Sequence, residues 1–236
     1  MMLTLDPDDF ARLRDSETGA EVERWKWPIG RFDSSMTVSA DGKWIAIARE
    51  SLSEIKIWRT ARPEPVARCV LPASVIGFSP DSRLLAARTG RWGSASIHLL
   101  NPTTGRRVHT LTAEAFAFSP TGTEAAAVAR DGVLTLWRTD DWQVLRRIAN
   151  GSMSASSLAF SAEGELLAAG SDGAVEVFDV STGRELARLP FPSLALELSF
   201  SPDSSMLLVK TDREVHVWRI PPRAQLNLRA ALLGPF

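Results

Sequence analysis

Leu158–Leu189 reads LAFSAEGELLAAGSDGAVEVFDVSTGRELARL and divides into four short runs separated by three turns. Leu158–Phe160, Leu166–Ala169, Val175–Phe178 and Glu185–Leu189 are apolar or alternating, as strands are. Ala162-Glu163-Gly164, Ser171-Asp172-Gly173 and Ser181-Thr182-Gly183 lie between them. Asp-Gly and Thr-Gly between apolar runs are strong short-range hairpin signals, because glycine takes up positive φ at no steric cost. The stretch therefore predicts a four-stranded antiparallel sheet.

The same unit recurs outward in both directions. Each first strand ends in a short motif: Val38-Ser39-Ala40, Phe78-Ser79-Pro80, Phe118-Ser119-Pro120, Phe160-Ser161-Ala162 and Phe200-Ser201-Pro202. Its serines stand at 39, 79, 119, 161 and 201, spacings of 40, 40, 42 and 40 residues. A fixed period of this length marks a repeat architecture. The second strands that follow are apolar on both faces and rich in alanine, which predicts sheets covered on both sides at close spacing.

The third strands alternate. Trp58, Leu100, Trp137, Phe178 and Trp218 each follow an apolar residue, with a polar one (Lys56, His98, Thr135, Glu176, His216) before that. This predicts a buried face and a wetter one. Small residues precede the end of each first strand (Thr37, Gly77, Ala117, Ala159, Ser199), as crowding at a common axis would require. A four-stranded unit of about 40 residues repeated around an axis is a β-propeller blade.

These residues resemble WD40 repeats over nearly the whole chain. Trp58-Arg59, Trp137-Arg138 and Trp218-Arg219 stand where that family ends its third strand in Trp-Asp, and Phe178-Asp179 keeps the acid while changing the aromatic. There is no Gly-His pair, and Asp15 and Asp179 alone keep the acidic position. The family's buried His–Ser–Trp–Asp network is therefore not expected, and cohesion falls to apolar packing. The resemblance implies a protein–protein scaffold. It specifies fold far better than function, since propellers host many activities.

The expected fold is all-β: a single propeller domain, 1–236, of four-stranded antiparallel blades. Residues 1–35 form a partial blade, with Met2–Leu5, Phe10–Arg14 and Glu21–Trp27 as its second, third and fourth strands. Full repeats follow at 36–71, 72–111, 112–148, 149–189 and 190–229, and 230–236 is a possible closing strand. That segment would supply the missing first strand, so that the termini share a sixth blade and the ring is a monomer. Pro235 opposes this, since proline donates no ladder bond.

Composition narrows the function classes. A net charge of −1 argues against nucleic-acid binding by phosphate neutralisation. No signal peptide and no run of 18 apolar residues is present, so no membrane role and a cytoplasmic setting are expected. Eight tryptophans, no tyrosine and much alanine and arginine resemble a high-GC bacterial composition. Cys69, in an apolar run, is expected to be a buried inert thiol.

No catalytic, metal or cofactor site is read. Phosphate loops and GxSxG turns are absent, the turn acids are dispersed, and His98, His109 and His216 are expected on sheet surfaces. One stretch breaks the repeat. The short turn between second and third strands becomes Arg88-Thr89-Gly90-Arg91-Trp92-Gly93-Ser94 in the second repeat. The resemblance places such turns on the face used for partners, and arginine and tryptophan are enriched at binding hot spots. Arg88, Arg91 and Trp92 are thus the candidate partner-binding residues, against the plainer reading of a loop folded on its neighbour. Arg49, Arg88, Arg130 and Lys210 end second strands, mostly with an acid close behind, which predicts local ion pairs. The preferred reading is a non-catalytic binding module for an unidentified protein. A truncated structural remnant of a longer propeller protein is the alternative, and a propeller-type hydrolase or other enzyme ranks below both.

Overall fold

The structure, a computed structural model, describes residues 2–5, 10–15, 17–26, 34–60, 62, 64–91, 93–149 and 155–221. The chain separates into two compact units, Met1–Leu111 and Thr112–Phe236. Every described element is a strand and every described pairing is antiparallel.

The first unit holds three sheets. β1 (Met2–Leu5), β2 (Phe10–Arg14) and β3 (Glu21–Lys26) pair in chain order. These strands stand where the sequence places them, with Trp27 outside the described residues. β4 (Ser34–Val38), β5 (Trp44–Arg49), β6 (Glu54–Arg59) and β7 (Ala67–Val70) form the first full repeat. β8 (Ala73–Phe78), β9 (Leu85–Thr89), β10 (Ser96–Leu100) and β11 (Arg107–Thr112) form the second.

The second unit repeats the plan. β12 (Ala115–Phe118), β13 (Glu124–Val128), β14 (Val133–Arg138) and β15 (Val144–Ala149) form one sheet. β16 (Ser157–Phe160), β17 (Leu166–Asp179) and β18 (Glu185–Leu194) form the next. β17 counts as two strands. Its 14 residues would span about 46 Å if straight. Yet the Val180 N–H donates to the Glu165 carbonyl at 2.9 Å, so the run doubles back through Ser171-Asp172-Gly173, where Gly173 has φ +89°. β19 (Glu197–Phe200), β20 (Met206–Lys210) and β21 (Val215–Arg219) close the series. The fourth strand expected at 224–229 and the closing strand at 230–236 lie outside the described residues.

The periodic serine has a structural job that explains its spacing. Its backbone N–H donates to the carbonyl five residues on, as in Ser39 to Trp44 and Ser161 to Leu166, both at 2.9 Å. Its hydroxyl accepts the N–H of that same residue, at 2.9 Å from Trp44, Leu84 and Met206 and 3.0 Å from Leu166. Where aspartate stands two residues on, the hydroxyl also donates to it, at 2.6 Å for Ser39–Asp41 and Ser79–Asp81. The third residue after the serine is left-handed: Gly42, Ser82, Gly122, Gly164 and Ser204 lie between φ +56° and +78°. Four of the serines are buried, so each hydroxyl satisfies a turn that no water reaches.

The left-handed residue also locks one repeat to the one before. Ser204 donates to Glu163 Oε2 at 2.7 Å and accepts from the Ala162 N–H at 3.0 Å. A Cβ on Gly164 would stand 2.7 Å from Ser119 Oγ and 3.1 Å from Thr121 Cγ2. The first strands are tied too, by Val75 N–H on Ser35 Oγ at 2.7 Å and by the Ser156 and Ser157 hydroxyls on the Ala195 carbonyl at 2.6 and 3.0 Å.

Apolar packing between consecutive sheets supplies the core. In the first unit Leu13 packs with Ile45, Ile47 and Trp58, and Ala46, Ala48, Ile55 and Ile57 pack with Ala73, Val75, Leu85 and Ala87. In the second, Leu134 and Leu136 meet Leu158, Leu167 and Phe178, while Val175 and Val177 meet Leu198, Leu207, Val209 and Trp218. Alanine on the second strands lets the sheets approach closely.

Four expectations need correction. The second strand of the fifth repeat is not covered on both sides, for Met206 and Leu208 are exposed. The polar position of the third strand is not uniformly wet. His98 is buried between Thr89 Oγ1 at 2.9 Å and Thr110 Oγ1 at 3.2 Å, and Glu176 is buried and paired with Arg188. Gly77 is not forced by crowding, because a Cβ there would meet nothing within 4 Å. Cys69 is half-buried, and burial pushes its thiol pKa up.

Two outcomes follow from the turns. Gly164→Ala should lower the melting temperature more than Gly173→Ala, whose Cβ would meet nothing within 4 Å although its φ is also positive. The excess reads the clash with Ser119, about 1–2 kcal/mol or roughly 2–8 °C; equal losses would refute the inter-repeat lock.

The second outcome concerns acid. Hydroxyl and backbone bonds from Ser201 and Ser205 bring Asp203 from 3.8 to about 2. The Ser39 hydroxyl lowers Asp41, and the Thr18 N–H lowers Asp15. Burial, then the Arg107 charge, lowers His98 from 6.5. All four values fall on folding, so each contribution is complete above the unfolded value and is lost as pH falls. The melting temperature should hold above about pH 6.5, dip as His98 protonates, and fall more steeply from about pH 4 towards 2. Asp203→Asn should flatten that last limb, read by thermal denaturation.

Candidate partner-binding site

The departure from the repeat lies between β9 and β10. β9 runs on to Thr89, so Arg88 is a strand residue opposite Ile97, not a loop residue as the sequence suggested. It is half-buried, and one guanidinium N–H reaches the Gly90 carbonyl at 3.5 Å. The connection proper is 90–95, against four residues at the corresponding hairpins of the first and third repeats. Two glycines bend it, with φ +82° at Gly90 and +89° at Gly93. The Ser94 N–H and hydroxyl close it on the Arg91 carbonyl at 3.0 and 3.3 Å, and Ala95 anchors its far end in the core at 1% exposure.

Of the three candidate residues, Arg91 is exposed at the bend and Arg88 braces its base. Trp92 lies outside the described residues. Sequence reasoning missed the support beneath them. Thr89, His98 and Thr110 form a hydrogen-bonded chain across β9, β10 and β11. Burial disfavours a charged His98, so a neutral imidazole, donating through one nitrogen and accepting through the other, holds the root of the connection. The available signal was the hydroxyl residues flanking the polar position of β10. The assembly presents a guanidinium on a short, braced loop, which suits an acidic or aromatic contact on another protein.

The second candidate set divides. Lys210 pairs across the ladder with Glu197 at 3.1 Å, not with Asp212, which meets Arg213 at 3.5 Å. Asp131 accepts the Val133 N–H at 3.1 Å, as a turn cap. His216 meets Glu214 at 2.9 Å. Among the described residues no group of three or more His, Cys, Asp or Glu is placed to hold a metal.

The ends of the third strands show what replaces the acid of Trp-Asp. Asp15, Asn101 and Asp179 each accept the N–H and hydroxyl of a threonine three residues on, at 2.7–3.3 Å. These side chains therefore cap the turn after the third strand. Arg59 lies 5.2 Å over the Trp44 ring, and Arg138 pairs with Asp141 at 2.9 Å. The indole nitrogens of Trp137 and Trp218 are buried without a hydrogen-bond partner. In those two repeats the indole works by packing alone.

Comparison with known proteins agrees with this geometry. The family described as the anaphase-promoting complex subunit 4 WD40 domain matches residues 116–203, which contain three of the five periodic serines. The periodic tryptophan protein 2 homolog of Schizosaccharomyces pombe is 31% identical over 116 residues. That stretch is 48% of this chain and 14% of the relative, so the chain spans a small part of that protein's length. The 40-residue period and the antiparallel sheets of three and four strands agree with these matches, and over residues 116–203 the chain is similar to a WD40 domain.

Proposed function

We propose that the chain is a non-catalytic protein-interaction module that engages its partner through the β9–β10 connection. WD40 repeats are generally scaffolds for other proteins, and this supports the class. The observation that carries the site is the 90–95 loop. It is longer than its counterparts, bent by two left-handed glycines, braced by Thr89–His98–Thr110, and it exposes Arg91.

Rigid sheets suit this role. A loop held on a packed scaffold loses little conformational freedom when it binds, so more of its contact energy survives as affinity. An arginine in a partner's acidic or aromatic pocket is a frequent hot spot. Trp92, next in the chain, would add apolar area beside it.

The full chain, immobilised and challenged with a lysate of its source, should retain one or more proteins that Arg91→Ala/Trp92→Ala releases. Loss at that pair should exceed tenfold, the weight of a hot spot of about 1.4 kcal/mol or more. Arg62→Ala, away from the loop, should leave capture unchanged. Unaltered capture by the loop variant would move the site elsewhere.

A further inference from the structure

β11 (Arg107–Thr112) is the outer edge of its sheet, whose order is β11-β10-β9-β8. One side of the strand bonds to β10, and the other offers a row of backbone N–H and C=O groups that a further strand can take up. Its side chains suit that use. Val108 is 56% exposed, and Val108, Thr110 and Thr112 place β-branched residues, which strands favour, at alternate positions. The strand's six residues give an edge of about 20 Å.

The charge around this edge is of one sign. From Ser82 to Ala113 the sequence holds no Asp or Glu, while Arg83, Arg88, Arg91, Arg106 and Arg107 fall within that stretch. Every other full repeat carries several acids; the second, 72–111, has Asp81 alone, and Arg83 meets it at 3.6 Å. Arg106 and Arg107 are exposed where β11 begins, and among the described residues no acid pairs with either. At the other end, the contact of His98 with Thr110 sets the start of β10 beside the end of β11, so the connection that bears exposed Arg91 lies there. Charged side chains on an edge keep it from joining strands at random. Here they are all cationic, so they repel a basic strand and draw in an acidic one.

We infer that β11 is a docking edge, which takes an extended acidic segment of a partner protein as a further strand of its sheet. Backbone bonds along β11 supply the affinity. Carboxylates near the two ends of the segment, meeting Arg106 and Arg107 at one and Arg91 at the other, supply selectivity, since a guanidinium holds a carboxylate through two bonds at once. A nucleic acid would satisfy the charge but cannot extend a β-ladder. The inference shares with the loop reading only that the chain is a protein-binding module.

The probe is a fluorescent peptide of about eight residues alternating glutamate with valine, long enough to cover β11 and one residue past each end. Titrated with the full chain and followed by anisotropy, it should bind with a Kd of about 100 μM, the weak end expected of a single added strand. Lysine in place of the glutamates should weaken binding at least tenfold, as should Arg106→Glu/Arg107→Glu in the protein. Arg106→Gln/Arg107→Gln should weaken it several-fold and remains decisive if the glutamates disturb the fold. Arg147→Glu on β15 should change nothing. Peptides N-methylated at all their valines, or at all their glutamates, keep their charge but lose the donors of one edge, so one of the two should fail to bind. Equal binding by both would overturn the inference in favour of plain charge attraction. A single-stranded oligonucleotide that binds where the peptide does not would overturn it as well. Lysate capture that depends on Arg91 and Trp92 without any peptide binding would sink the edge and leave the loop; peptide binding with capture indifferent to that pair would sink the loop and leave the edge.

Discussion

A buried serine hydroxyl that closes the turn between first and second strands is the interaction on which the repeats depend. In four of the five repeats it accepts one backbone N–H, and in three it hands its own proton to an aspartate. The third repeat substitutes Thr121 for that acid at 2.9 Å. The hydroxyl thereby satisfies a backbone N–H that burial of the turn would otherwise orphan. Once it is buried, the left-handed residue at its corner is close enough to touch the turn of the preceding repeat. Local hydrogen bonding and repeat-to-repeat packing are thus one device.

Apolar packing then does what a polar network would otherwise do. Trp137 and Trp218 bury indole nitrogens without partners, a cost of about 1–3 kcal/mol each that their large apolar area offsets. Phe178 fills the same place at 1% exposure with no polar group to satisfy. The acids and the asparagine at the ends of the third strands are free to cap turns instead. A scaffold joined this way tolerates change in its loops, because the sheets and serine turns hold the fold by themselves. The β9–β10 insertion sits where such change is least costly.

Much of the fold was legible because period and turn chemistry agree. The serine spacing located every first-to-second turn, and β1 and β2 begin and end where the apolar pattern placed them. What was not legible depended on contacts between strands. His98 and Glu176 looked wet from alternation, but Thr110 and Arg188 on the neighbouring strands close over them. The smallness of Gly77 suggested crowding where there is open space. Leu208 read as one more apolar second-strand residue, and only its exposure marks the difference from four alanines. At the candidate site the break in the repeat marks an irregular loop, but Arg88 is its footing and not its tip.

Held in this way, the serine turns open only when the sheets themselves come apart. Native-state hydrogen exchange across a denaturant series measures this at the Leu166 amide, bonded to the buried Ser161 hydroxyl at 3.0 Å. This amide should exchange with the same denaturant dependence as the Ala168 amide in the core of β17, through one shared opening. Exchange that is fast and insensitive to denaturant, like that of a loop, would show instead that the turn opens alone while the sheets stay packed.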